Sequence, residues 1–214
     1  MNHSVPPSAL ATQPIGEPSR IAEGLYQLKL PVPFPLMFVA AYLLQDPHGW
    51  TIVDPGFDYS EARQVWEKQA RQLDLDLDRD VSRIIVTHLH PNHIGLARWL
   101  QQRSGAPVYM LEGAIEDACK VWNPARNNEP FVEFLIRNGM DEPTARRTAG
   151  ATSPGLRVPE SLIPLHDGQT MEFGERRWRV IHTPGHSDFR FILHEEEGGC
   201  SSPGTICFCT SPRT

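Results

Sequence analysis

Cysteine is scarce and poorly placed for a scaffold. Of Cys119, Cys200, Cys207 and Cys209, three fall within residues 200–214, leaving no framework of pairs across the chain and excluding a disulfide-stapled fold. The same trio lacks a second CxxC-like half, so a cysteine zinc site is a weak reading of it. Long apolar runs are also missing. No stretch approaches the roughly 20 residues of a membrane helix, and residues 1–20 lack the apolar core of a secretory signal. The expectation is therefore no membrane partner and a cytoplasmic location. Positive charge is in the minority, with 20 Lys and Arg against 26 Asp and Glu, a net charge of -6 and a pI near 5.8. A mainly electrostatic nucleic-acid binder needs the opposite balance to displace counterions, so no nucleic-acid partner is expected. No internal repeat is visible.

What is present suits one globular domain: 214 residues, 40% of them hydrophobic. Residues 1–20 are rich in Pro, Ser and small residues without periodicity and read as a flexible leader, with order beginning near Gly24. A folded domain is expected over 21–197 and an aberrant tail over 198–214. Apolar segments at 25–30 and 36–44 read as strands, and Trp50 to Val53 runs into the turn Asp54-Pro55-Gly56. Ala62, Val65, Trp66, Ala70 and Leu73 recur at helical spacing behind an Asp58 cap, and 83–86 reads as a buried strand. A second helix carries Leu96, Trp99 and Leu100, and a strand follows over 108–111. Residues 112–148 read as mostly helical with interruptions at Pro124, Pro130 and Gly139, a candidate lid or insertion. Strand patterns return at 171–173, 178–181 and 189–193. Strands alternating with helices predict a layered α/β domain.

Nine histidines stand out against this background, five of them in 87–93 (THLHPNH) and 182–186 (HTPGH). In the first stretch His88 and His90 alternate along extended backbone and project to the same side, while His93 lies across the next turn. Neutral imidazoles suit zinc or iron, and a loop at a strand end leaves coordination positions open for water and substrate. A metal there favours hydrolysis, by lowering the pKa of its water and polarising the electrophile. Three unrelated surface histidines are the competing reading, which suits any one of them better than it suits the cluster. In the second stretch a Pro-Gly turn presents His186, and His182 reads as a supporting or structural residue.

THLHPNHIG resembles the T-H-x-H-x-D-H-x-G signature of the metallo-β-lactamase superfamily, and IHTPGHS resembles its later T-P-G-H-[ST] signature. VDPGF at Asp54 and HDGQTMEFGERRWRVIHTPGHS extend the resemblance over about 24–194. It implies an αββα sandwich, here incomplete at the C-terminus, with the metals at one edge of the two sheets. By that resemblance His88, His90 and His186 serve one metal and His93 a second, with zinc expected, one or two ions, and iron as the alternative. Asp54 is either a loop-anchoring residue behind the site or merely the cap of a Pro-Gly turn. His48, His166 and His194 are expected to face solvent.

Two departures qualify the resemblance. Asn92 stands where the family has a catalytic-site aspartate, and an amide brings neither negative charge nor a base, so a second metal should bind weakly. Beyond His186, the family's Gly-Asp strand and last histidine are missing from HEEEGGCSSPGTICFCTSPRT. Moving the reading frame back by one base from Gly199 permits VLFAGDHLLL, so the expectation is a truncated chain whose tail is out of frame, with low stability and weak catalysis. The function expected is a zinc hydrolase acting through a metal-bound hydroxide on a small-molecule ester, thioester, lactone or lactam, impaired by Asn92 and the truncation. An iron-dependent oxidoreductase of the same fold and a non-catalytic truncated product are the alternatives. Trp122, Phe131, Phe134 and Met140 either line an apolar acyl pocket or pack helices together.

Overall fold

The computed structural model describes residues 14–33, 38–123, 128–151, 156–195 and 206–207. Strands β1 (Pro18–Ala22), β2 (Leu25–Leu30), β3 (Val39–Asp46) and β4 (Gly49–Val53) follow one another through short connections and pair antiparallel in chain order. The sheet then changes character. Strands β5 (Val81–Val86), β6 (Val108–Leu111) and β7 (Ile163–Leu165) each add in parallel, completing seven strands in sequential order. Parallel neighbours need long crossovers, and helices supply them. Helix α1 (Ser60–Gln72) links β4 to β5, and α2 (Pro91–Ile94) and α3 (Ala97–Ser104) link β5 to β6. Helices α4 (Glu112–Val121), α5 (Glu129–Arg137) and α6 (Glu142–Ala151) precede β7. A second sheet holds β8 (Thr170–Phe173), β9 (Arg176–His182) and β10 (Phe191–Glu195) as antiparallel neighbours, with β11 (Ile206–Cys207) parallel along β10.

Burial explains the layering. In β5 the consecutive residues Ile84, Ile85 and Val86 are all buried, as befits a strand covered on both faces. In β9 burial alternates instead: Trp178 and Val180 are buried while Arg177 and Arg179 are exposed. The inward residues of the second sheet, Phe173, Trp178, Val180, Phe191 and Leu193, join those of the first in a single core. Helix α1 buries Ala62, Trp66 and Ala70 in the same core, giving the α/β sandwich that the strand and helix pattern anticipates.

Several local expectations need correction. Order begins before Gly24: β1 pairs with β2, Ser19 is buried, and the Gly16 amide donates to the Lys29 carbonyl at 2.8 Å. Asp58 does not cap α1; Tyr59 holds that position, and the Asp58 carboxylate accepts from the Arg63 guanidinium at 2.7 and 2.9 Å. Pro130 does not interrupt a helix but opens α5, where its missing amide hydrogen would have had no partner in any case. His194 is half-buried on β10 opposite Arg179, whereas His48 and His166 are exposed as expected. The strand expected over 36–44 is described from Val39. Residues 1–13 of the leader, Pro124, and 198–205 and 208–214 of the tail lie outside the described residues. Among the described residues no helix is long and apolar enough to cross a membrane.

Candidate metal centre

The parallel pairing of β4 with β5 brings the ends of the two strands together, the usual place for a site in a parallel sheet. Asp54, the first residue beyond β4, donates its amide to Ile85 at 2.9 Å and takes a left-handed backbone at φ 53, a conformation that aspartate tolerates better than most side chains. Its carboxylate therefore turns toward the start of the histidine loop. Oδ1 accepts from the Thr87 amide at 2.8 Å, and Oδ2 accepts from the Thr87 hydroxyl at 2.6 Å and from His93 Nδ1 at 2.8 Å. Burial pushes this fully enclosed carboxyl up, but His93, His88 and Thr87 together outweigh it and hold it below its ordinary range.

These bonds dictate tautomers. Since the carboxylate only accepts, His93 Nδ1 carries a hydrogen, and in the neutral ring the lone pair is therefore on Nε2. Thr87 spends its hydroxyl hydrogen on Asp54, so Oγ1 can only accept from His88 Nδ1, 3.2 Å away. His88 Nε2 is left with a free lone pair, buried and without a hydrogen-bond partner among the described residues. An orphaned acceptor in a side chain that is 2% exposed is costly unless something electrophilic meets it.

His90 and His186 complete the arrangement. The second histidine loop follows β9, and Gly185 makes its turn at φ 140, a backbone that a side chain would strain. His90 Nδ1 and His186 Nε2 face each other at 3.0 Å. One nitrogen from each of His88, His90 and His186 lies within 4.8 Å of the others. Two metal–nitrogen bonds of about 2.0–2.1 Å at a tetrahedral angle would set nitrogens about 3.3–3.4 Å apart, so the three imidazoles are spaced for a transition-metal ion. Burial, followed by the influence of His93, lowers the His88 pKa to about 3, despite Asp54 pulling it up. Burial also lowers that of His90, with His186 and His93 adding to it. Both imidazoles are thereby kept in the neutral form a metal requires.

Asp54, His88 and His93 also lie close enough to form a second trio. There the carboxylate already accepts three hydrogen bonds, so this trio works as a hydrogen-bonded support for the first. Asp54 is thus far more than the cap of a turn. Asn92 sits half-buried on α2 between the two parts of the motif. His182 stays outside both trios: its Nε2 donates to the Asp188 carbonyl at 2.7 Å and its ring stacks on Phe189. The four apolar residues do not form one acyl pocket: Phe131 and Phe134 stack on each other with centroids 6.4 Å apart, away from Trp122. Phe131 and Met140 pack with Val132, Ala145 and Ala149 in a small cluster of α5 and α6, Phe134 is 54% exposed, and Trp122 packs on the main core. Thr87, which sets the His88 tautomer, was not among the residues singled out from the sequence; its place directly before His88 was the available signal.

Comparison with known proteins agrees with this geometry. The family profile of the metallo-beta-lactamase superfamily matches residues 35–201. A metallo-beta-lactamase family protein from Thermus thermophilus superposes with a TM-score of 0.74 at 31% identity, over 84% of this chain and 58% of that one. A probable polyketide biosynthesis zinc-dependent hydrolase of Bacillus velezensis is 31% identical over 112 residues, 52% of this chain and 33% of the relative. A hydroxyacylglutathione hydrolase of Gloeobacter violaceus is 28% identical over 109 residues, 41% of this chain and 43% of the relative. The chain thus spans less than two thirds of the length of each relative. With the profile matching most of the chain, and with both histidine motifs meeting at the ends of the strands, this chain belongs to the metallo-beta-lactamase superfamily.

Proposed function

We propose that His88, His90 and His186 hold a zinc ion and that the protein hydrolyses a small ester, thioester, lactone or lactam. The observation that carries this reading is the buried His88 Nε2, unpartnered among the described residues, beside the facing nitrogens of His90 and His186. A bound zinc ion supplies an activated water and polarises the electrophile. The chain's own residues do the rest. Asp54 and Thr87 fix the His88 and His93 tautomers and ring planes, and the exposed side of the site at His186 leaves room for a small substrate to approach. The zinc-dependent hydrolase of Bacillus velezensis supports zinc over iron, and the hydroxyacylglutathione hydrolase supports an acyl substrate.

Asn92 limits the second metal. Its amide has no negative charge to hold a cation and no basic oxygen to take a proton, so a single tight zinc per chain is expected. Asn92→Asp should raise the zinc retained after dialysis from one toward two per chain; two tight ions in the parent protein contradict this. The broader test is zinc content together with a panel of esters, thioesters, lactones and lactams. Zinc binding and turnover that vanish in His88→Ala are expected. A protein that retains no zinc, that holds iron and consumes oxygen, or whose turnover survives His88→Ala overturns the reading.

A further inference from the structure

The two histidine loops lie far apart in sequence, and the hydrogen bonds around Asp54 hold only the first of them. Helix α4 touches both. At its C-terminal end the Trp122 indole donates to the Leu89 carbonyl at 2.8 Å, the peptide between His88 and His90. At its N-terminal end Gly113 lies against Phe189, so closely that a Cβ there would overlap the ring. Phe189 belongs to the loop that follows His186, and its other neighbour is His182, whose ring it stacks on with centroids 6.0 Å apart and planes at 14°. His182 is itself held at both ends: its amide donates to Asp167 at 2.8 Å, and its Nε2 donates to the Asp188 carbonyl. The helix is in turn fixed to the core by the buried Ala114 and Ala118 and by Ile115.

We propose that α4 is a strut setting the distance between the two histidine loops, with Trp122 and Gly113 as positioning residues at its two ends. The inference rests on the zinc reading above and goes beyond it. Three ligands converge only if the Leu89 peptide, flanked by two of them, keeps a fixed place relative to the turn that carries the third. A hydrogen bond to that peptide and a close contact with the neighbouring loop, both from one rigid helix, impose that relation. Residues that orient metal ligands without touching the metal typically change affinity by about 10- to 100-fold. Action through the backbone places Trp122 at the lower end of that range.

The test uses cobalt(II) as the probe, with affinity measured by competition against a chelator, the visible ligand-field absorption of the bound ion, and thermal unfolding of the metal-free protein. Trp122→Phe keeps an aromatic side chain and removes the donor; Gly113→Ala pushes Phe189 away and leaves the first loop untouched. Each should weaken cobalt binding by about tenfold and alter the visible absorption. Lys120→Ala, at an exposed position on the same helix, should do neither. If Trp122→Phe and Gly113→Ala bind cobalt as tightly as the parent with the same absorption, the strut is wrong. Equal losses in Lys120→Ala also overturn it, because they would reflect helix stability alone. A parent protein that binds no cobalt fails at the zinc reading itself, and that result stands apart from the other two.

Discussion

The two histidine loops meet at one point but are built differently. His88 and its supports Asp54 and Thr87 are buried at 2%, 0% and 0% exposure, and the imidazole donates to the hydroxyl, which donates to the carboxylate. Pro184, Gly185 and His186 are exposed, and the His186 ring meets the first loop only edge-on, with centroids 4.7 Å from His90 and 5.2 Å from His88. The first loop is part of the core and takes its shape from folding. The second is delivered to it at the surface. One half of the centre should therefore answer to mutation as structure does, and the other half as a ligand does.

Trp66→Ala probes that contrast most strongly. Trp66 is fully buried on α1 and donates its indole hydrogen to the Pro55 carbonyl at 2.8 Å, directly behind Asp54. Its removal should lower stability by about 3–5 kcal/mol, measured by urea unfolding of the metal-free protein. Asp54→Asn should come next, with about 1–3 kcal/mol lost as charged hydrogen bonds become neutral ones. Zinc affinity should drop about 10- to 100-fold as His88 and His93 lose their orientation. Unchanged affinity in that variant would mean that the first loop holds its shape without the carboxylate.

The same contrast has a pH signature. Unfolded, His88 takes up a proton as the pH falls through 6.5; folded, it stays neutral until about 3. The unfolded state therefore binds more protons across that window, and the stability of the metal-free protein should fall as the pH is lowered through it. Asp54 acts in the same direction at lower pH, since its contribution is lost as the pH falls through its depressed pKa. Urea midpoints in the presence of a chelator should decline from about pH 7 to about pH 4.5 and decline less in His88→Gln. A flat profile in the parent protein contradicts the buried-loop account. The smallest effect on stability is expected at the second loop: His186→Ala should change it by no more than about 0.5 kcal/mol while weakening zinc binding. A larger loss there erases the distinction.

Much of this was legible in the residues, for reasons that are local. Alternation along extended backbone places His88 and His90 on one side, and a Pro-Gly pair announces the turn before His186. Apolar periodicity located α1 and most strands. It missed β7, whose Ile163 and Pro164 are exposed and only Leu165 buried, because a strand that short carries almost no period. It placed the start of order too late, because β1 is a polar edge strand whose ladder bonds leave no apolar pattern. Asp58 looked like a cap by type, yet a guanidinium five residues on competes for the same carboxylate.

What the sequence alone determined is the identity of the ligand candidates and the chemistry that neutral imidazoles at such spacings favour. Only the tertiary structure decided that His90 and His186, 96 residues apart, face each other at 3.0 Å, and that Asp54 reaches both Thr87 and His93. It likewise decided that the Trp122 indole lies under the Leu89 peptide. The reason is physical. Spacing along a strand or turn constrains neighbours through backbone dihedrals, whereas these contacts depend on how β4 aligns with β5 and how the two sheets and α4 pack. Those are properties of the whole core, and no short stretch of residues carries them.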